Sequence, residues 1–242
     1  LEIGHTTIHS ISEIPFIPIE LFKSHQVVTG NREPALHFES SGTTGQLPSR
    51  HYLVSEAVYR ESFLRTFTAN YGKPEDLCIL ALLPSYLERQ HSSLVYMMDH
   101  LVSLSLHPDS GFYLDDLAGL AAVLQKRVQD GHPTLLLGVS FALLDLAEQY
   151  PMKLSPNITL METGGMKGRR REMIREELHA VLKKAFFFFF LQGEKVTGHE
   201  AAGQEIHSEY GMTELLSQAY AKDGQHFHPP PWMRVITRDL YD

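Results

Sequence analysis

Three short apolar runs, set apart by helical patterns, constrain this chain most. They are Leu77-Cys78-Ile79-Leu80-Ala81-Leu82-Leu83, Thr134–Val139 and Ile158–Met161. None alternates between apolar and polar. A strand with one wet face alternates, whereas a continuous run suits a strand covered on both faces, as in a parallel sheet. Between the runs the period changes. Leu53, Ala57, Leu64, Phe67 and Tyr71 recur at helical spacings until Gly72-Lys73-Pro74 stops them. The pattern predicts further helices over about 92–104, 113–129, 141–150 and 170–184. Strand and helix alternate, so the expected class is α/β, a largely parallel sheet flanked by helices. Such sheets bind ligands beyond the carboxyl ends of their strands. The strand tails are therefore where chemistry is expected.

Composition narrows the function. A formal net charge of −8 argues against a nucleic-acid surface, which needs a basic stripe. Cys78 is the single cysteine, so there is no internal disulfide framework and no cysteine-based metal cluster. That usage fits a reducing compartment, and a cytoplasmic location is expected. Cys78 lies inside an apolar run and reads as core packing, since a reactive thiolate needs exposure and positive surroundings. No run is long enough to span a bilayer. Leu1-Glu2-Ile3-Gly4 does not look like a signal peptide, and it lacks an initiator Met. Val235–Asp242 looks like a strand and turn cut off mid-course, so the chain is expected to be a piece of a longer one. Residues 1–38 read as an irregular arm and 39–242 as a nucleotide-binding core. Phe186–Phe190 has no amphipathic logic, and no function is placed on it.

Glu39-Ser40-Ser41-Gly42-Thr43-Thr44-Gly45-Gln46-Leu47-Pro48-Ser49-Arg50 is the most distinctive segment. Glycines let a backbone curl with its N–H groups inward, and such a nest attracts anions. Hydroxyls add donors, and Arg50 adds a charge-assisted fork. The segment reads as a phosphate-gripping loop between regular elements, led in by Phe38. It is not the common P-loop, because Gln46 rather than lysine follows Gly45. The plainer reading is a flexible surface loop.

Three further segments sit at strand tails: Leu83–His91, Met161–Arg171 and His207-Ser208-Glu209-Tyr210-Gly211-Met212-Thr213-Glu214. In the last, a flat ring, a tight turn, a hydroxyl and a carboxylate lie within five residues. A carboxylate and a phosphate can share one Mg²⁺. Ser40–Arg50 and Tyr210–Glu214 together resemble the phosphate loop and the Tyr-Gly-x-Thr-Glu motif of the acyl-adenylate-forming superfamily. Gly164-Gly165 falls where that superfamily has its Gly-Gly turn. The nearer resemblance is to the acyl-protein synthetase (long-chain-fatty-acid luciferin-component ligase) branch. Ser49-Arg50-His51, Leu82–Arg89, Met161–Gly165 and His207–Glu214 carry it.

The resemblance implies ATP-dependent activation of a carboxylic acid, for this branch a fatty acid, to acyl-AMP with release of pyrophosphate. The acyl group then passes to a thiol, on an acceptor protein or alternatively on coenzyme A. By motif position, Ser40, Ser41, Thr43, Thr44 and Arg50 would hold the β- and γ-phosphates, with Gly42 and Gly45 shaping the loop. Tyr210 would lie against adenine, next to Gly211. Thr213 would sit near the α-phosphate, and Glu214 on Mg²⁺. Gly164 and Gly165 would let the backbone approach the nucleotide. The superfamily's ribose-binding Asp and small C-terminal domain would follow Asp242.

Other residues keep two readings. Lys167, Arg169, Arg170 and Arg171 open a helix, where cations oppose the dipole. Either a bound anion offsets them or they form a solvated basic turn. Arg89 and His91 either face the acid or the phosphates or are structural, and His207 reads equally as a satisfied structural histidine. No H-E-x-x-H pair occurs among the 14 histidines. Ser85 and Ser140 lack the G-x-S-x-G elbow of an acyl hydrolase. A rival of another class is a scaffold that binds nucleotide or acyl groups without chemistry.

Overall fold

The fold comes from a computed structural model and is described for residues 9–40, 47–84, 91–166, 170–187 and 204–237. It is α/β, with a mostly parallel six-stranded sheet. The strands are β3 (Cys78–Leu82), β4 (Gly111–Phe112), β5 (Thr134–Gly138), β6 (Ile158–Glu162), β7 (His207–Tyr210) and β8 (Ala219–Ala221). Their spatial order is β4-β3-β5-β6-β7-β8, and only β8 runs antiparallel. All five residues of β3 and of β5 are buried, as their unbroken apolar runs predict. A separate antiparallel pair joins β1 (Leu36–Glu39) to β2 (Arg50–Leu53).

The helices begin and end where their caps dictate. In α2 (Glu56–Tyr71), the Ser55 side chain accepts the Ala57 N–H, and Gly72 ends the helix. Helix α3 (Ser93–Leu104) is capped by Ser92, and α4 (Leu117–Asp130) by Asp116. Gly131, at φ 70°, closes α4 in the left-handed region. Helices α5 (Ser140–Gln149) and α6 (Arg175–Phe186) complete the set. Before β1 the described regular elements are a 3-10 turn (Ile11–Glu13) and the one-turn α1 (Leu21–Ser24).

Sequence patterns and structure differ at several boundaries. The helix expected from 113 starts at Leu117, because Tyr113 N–H still bonds to Ala81 C=O beside β4 and Asp116 provides the cap. The helix expected from 170 starts at Arg175. Strand β2 stands between the Ser/Thr/Gly loop and α2, and β1 begins inside the stretch read as an arm. That arm leaves Ile11, Ile14, Phe16, Ile17 and Ile19 exposed rather than burying them on the core. Phe186 and Phe187 are buried at the end of α6, and the remaining phenylalanines of the run lie outside the described residues.

The topology sets the site. The chain passes from β3 to β4 in one direction, then back across β3 to β5 and onward to β6 and β7. With right-handed crossovers, α3 lies on one face of the sheet and α4, α5 and α6 on the other. Accordingly α2 packs with α3, and α5 with α6. The direction reverses between β3 and β5, the point at which such sheets open a ligand crevice.

Candidate active site

A cleft of about 270 Å³ opens at the carboxyl ends of the strands. Leu83 and Pro84 follow β3, Val139 follows β5, Thr163-Gly164-Gly165 follow β6, and Gly211-Met212-Thr213 follow β7. Glu39 from β1 and the first turn of α3 complete its wall. All four segments singled out in the sequence thus contribute to it.

Gly164 and Gly165 have φ of 67° and 92°, where a side chain would strain the backbone. The turn is held from behind. Glu162 Oε2 accepts the Gly164 N–H at 2.7 Å, and the Gly164 carbonyl accepts from Ser140 N–H at 3.3 Å. Burial pushes the Glu162 carboxyl up, but hydrogen bonds from His179, Ser208 and the Gly164 N–H outweigh it and leave it below its ordinary range. His179 Nε2 lies 3.6 Å from Glu162 Oε1, and Ser208 Oγ lies 3.5 Å from the same nitrogen.

On the next strand, Glu209 is also buried and lines the cleft. Burial pushes its carboxyl up to about 7, the charge of Glu162 adds to this, and the Thr163 hydroxyl opposes it. Thr163 Oγ1 donates to Glu209 Oε2 at 2.5 Å. Two neighbouring carboxyls therefore have opposite tendencies, one kept ionised behind the wall and one poised near neutrality inside the cleft.

The Ser/Thr/Gly loop springs from β1 and β2. Ser40 N–H donates to the Ser49 carbonyl at 3.0 Å, and Ser49 N–H donates to Ser40 Oγ at 2.8 Å, so the two serines close its base. Ser41, Gly42, Thr43, Thr44 and Gly45 lie outside the described residues. Arg50 is half exposed and donates from Nε to Glu39 Oε1 at 2.9 Å. His51, next along β2, donates from Nδ1 to the Thr213 carbonyl at 3.0 Å. That bond crosses 162 positions of sequence and ties the loop-bearing hairpin to the Tyr210–Glu214 segment. Burial lowers the His51 pKa, against the Thr213 carbonyl and the Glu214 charge.

The expected site residues are thus divided. Gly164, Gly165, Gly211 and Thr213 line the cleft. Ser40 adjoins cleft-lining Glu39, and Glu214 adjoins cleft-lining Thr213, but neither lines it. Arg50 and Tyr210 also lie outside the lining. Tyr210 is 41% exposed, its ring 5.6 Å from that of Phe227 and its hydroxyl 2.9 Å from Met212 Sδ.

The basic turn is partly neutralised by the protein itself. Arg170 pairs with Asp145 and Glu148 of α5, and Arg171 pairs with Glu177. Lys167 and Arg169, like Ser85 and Arg89, lie outside the described residues. His91 stacks on His37, with centroids 4.3 Å apart, and its carbonyl accepts from Glu39 N–H. His207 contacts the Tyr71 hydroxyl at 3.2 Å, and burial lowers its pKa to about 4.

No protein-family model matches this sequence, and a comparison with curated proteins gives no match either. Sequence reasoning gave no role to Glu162, Glu209 or Gln218. Glu209 had a readable signal: on a strand, alternation sends it to the face opposite Ser208 and Tyr210. Gln218 had none, since it precedes the three-residue β8 in a stretch without period.

Proposed function

We propose that the chain belongs to an enzyme that uses ATP to activate a carboxylic acid as its acyl adenylate, releases pyrophosphate, and passes the acyl group to a thiol on an acceptor protein in the cytoplasm. The observation that carries this reading is the His51–Thr213 hydrogen bond. It joins the root of a loop rich in anion-binding groups to the Tyr-Gly-x-Thr-Glu segment, at the edge of the sheet where nucleotides bind in this fold class.

The residues fit a nucleotide there. The glycines at 164 and 165 keep side chains off the cleft wall, and a Cβ built at Gly164 would meet nothing within 4 Å. Ser40 and Thr213 offer hydroxyls near the loop and the cleft. Arg50 supplies a cation already oriented by Glu39. Glu214, next to cleft-lining Thr213, is the carboxylate that would hold a Mg²⁺ shared with the phosphates. When bound, Mg²⁺ would offset the charge of the phosphates. In this reading the chain's own groups position the acid against the α-phosphate and neutralise charge that grows during attack. Cys78 is fully buried at the opposite end of β3, so in this reading the acyl-accepting thiol lies outside residues 1–242 or on a partner.

The test is incubation of the full-length protein with ATP, Mg²⁺ and a panel of acids, with hydroxylamine to trap an adenylate. Acid-dependent hydroxamate and pyrophosphate exchange are expected. Absence of exchange with every acid would sink the reading.

A further inference from the structure

One wall of the cleft holds more acceptors than its neighbours satisfy. Glu209 is 8% exposed there and accepts the Thr163 hydroxyl through Oε2. Gln218, 4% exposed, lines the same wall. Its orientation is fixed by a chain of donors. Tyr59 OH spends its proton on the Ser93 carbonyl at 3.0 Å, so the phenol oxygen must accept from Gln218 Nε2, also at 3.0 Å. Gln218 Oε1 is therefore turned the other way, buried and without a hydrogen-bond partner. The two groups are neighbours: a Cβ on Gly211 would stand 2.7 Å from Glu209 Oε1 and 3.8 Å from Gln218 Cγ. Glycine at 211 keeps that approach open.

We infer that the acid taken by this cleft carries a primary amino group whose N–H donors meet Glu209 and Gln218. This rests on the acid-activation reading for the carboxylate end of the ligand, but the argument for the donors does not. An unpaired buried acceptor is costly, and a site built around one rejects ligands that lack the donor far more strongly than an apolar pocket rejects an extra methylene. A plain alkyl chain would press methylenes against a buried carboxyl and an orphaned amide oxygen. The expected fatty acid is thus a poor match for this wall. At about 270 Å³ the cleft stands near the lower end of small-molecule pockets, roughly 300–1,000 Å³. An amino group brings two N–H donors as an arylamine and three as an alkylammonium, enough for both acceptors, where a hydroxyl brings one donor.

Calorimetry on the full-length protein without ATP tests this with two matched pairs, benzoate against 4-aminobenzoate and hexanoate against 6-aminohexanoate. In at least one pair the amino acid should bind ten-fold or more tightly than its parent, and Glu209→Ala should erase the difference. No amino advantage in either pair overturns the inference, and so does an advantage that survives Glu209→Ala. The comparison in the unaltered protein stands even where the variant does not fold. A third arm compares AMP with IMP. If Glu209→Ala erases a preference for AMP, the amino group read by this wall belongs to the nucleotide, and the inference falls. Pyrophosphate exchange that fails with every acid would instead remove the adenylation reading, leaving the binding difference to be judged on its own.

Discussion

At the amino ends of the strands, Arg127 is buried at 2% exposure among groups that answer it: Asp130, Asp109 at 3.5 Å and His107. Asn157 bridges the Arg127 and His132 carbonyls, and Lys126 adds a second contact to Asp109. At the carboxyl ends Glu209 is just as deeply placed, yet it has one hydroxyl from Thr163, a like charge nearby on Glu162, and a cleft in front of it. Buried charge set against opposite charges fixes a structure, even though Arg127 Nε itself has no hydrogen-bond partner. Buried charge left short of partners is kept where something else is to meet it. The lower end of the sheet is therefore read as a clamp, and the upper end as a site.

The largest expected effect breaks the clamp. Arg127→Leu should cost up to about 3 kcal/mol, because part-buried Asp109 and His107 lose their partner at the centre of the network. Chemical unfolding measures the loss, and AMP binding by the folded fraction should be unchanged. A variant as stable as the parent would show that the lower network is not a clamp.

Glu209→Gln should move stability the other way, by an amount that grows between pH 4.5 and about 7 and levels off above. The folded-state value is raised from 4.5 to about 7, so this carboxyl binds its proton more tightly in the folded chain. Its contribution is whole below pH 4.5 and is lost as the pH rises through 7. A neutral amide avoids the loss. The variant should gain roughly 3 kcal/mol over the parent at pH 8 and almost nothing at pH 4. Unfolding midpoints across that range decide it. A gain that does not depend on pH would mean Glu209 is not the poised group that separates the two ends.

Glu214→Gln tests whether the upper end does chemistry. It keeps shape and removes charge at a position beside the cleft. Adenylate formation should fall about ten-fold, roughly 1.4 kcal/mol of transition-state stabilisation, with a raised Mg²⁺ requirement. An unchanged Mg²⁺ titration would detach Glu214 from the site.

Both ends were unequally legible in the sequence. The apolar runs at 77–83, 134–139 and 158–161 announced β3, β5 and β6, because strands buried on both faces cannot hide their composition. Gly164 and Gly165 announced a turn that only glycine tolerates. Strands β1, β2, β4 and β8 were missed, since two to four residues show no period. The clamp was unreadable because Asp109, the Arg127–Asp130 pair of α4 and Asn157 come from three separate connections and meet only when the strands stack. Glu209 stands within the His207–Glu214 segment, and burial rather than residue type sets its carboxyl apart. His51 was noticed for adjoining Arg50, and its bond to Thr213 depends on a packing that no local pattern encodes.

The smallest effect belongs to Cys78, at the foot of β3 on the clamped side. It is fully buried, its N–H bonds to the Pro133 carbonyl at 2.9 Å, and it pairs in register with Thr134 of β5. Burial raises the thiol pKa, and the hydrogen bond with Ser110 and the Arg127 charge only partly oppose this. A protonated, enclosed thiol is a poor nucleophile. Cys78→Ala removes one sulfur and leaves a small void, so about 1 kcal/mol of stability should be lost where neighbours relax. Thiol reagents should label Cys78 only at the rate of unfolding, and ligand binding in the cleft should survive the substitution. A thioester found on Cys78 by mass spectrometry after incubation with acid and ATP would overturn the assignment, and with it the division of the sheet into a closed end and an open one.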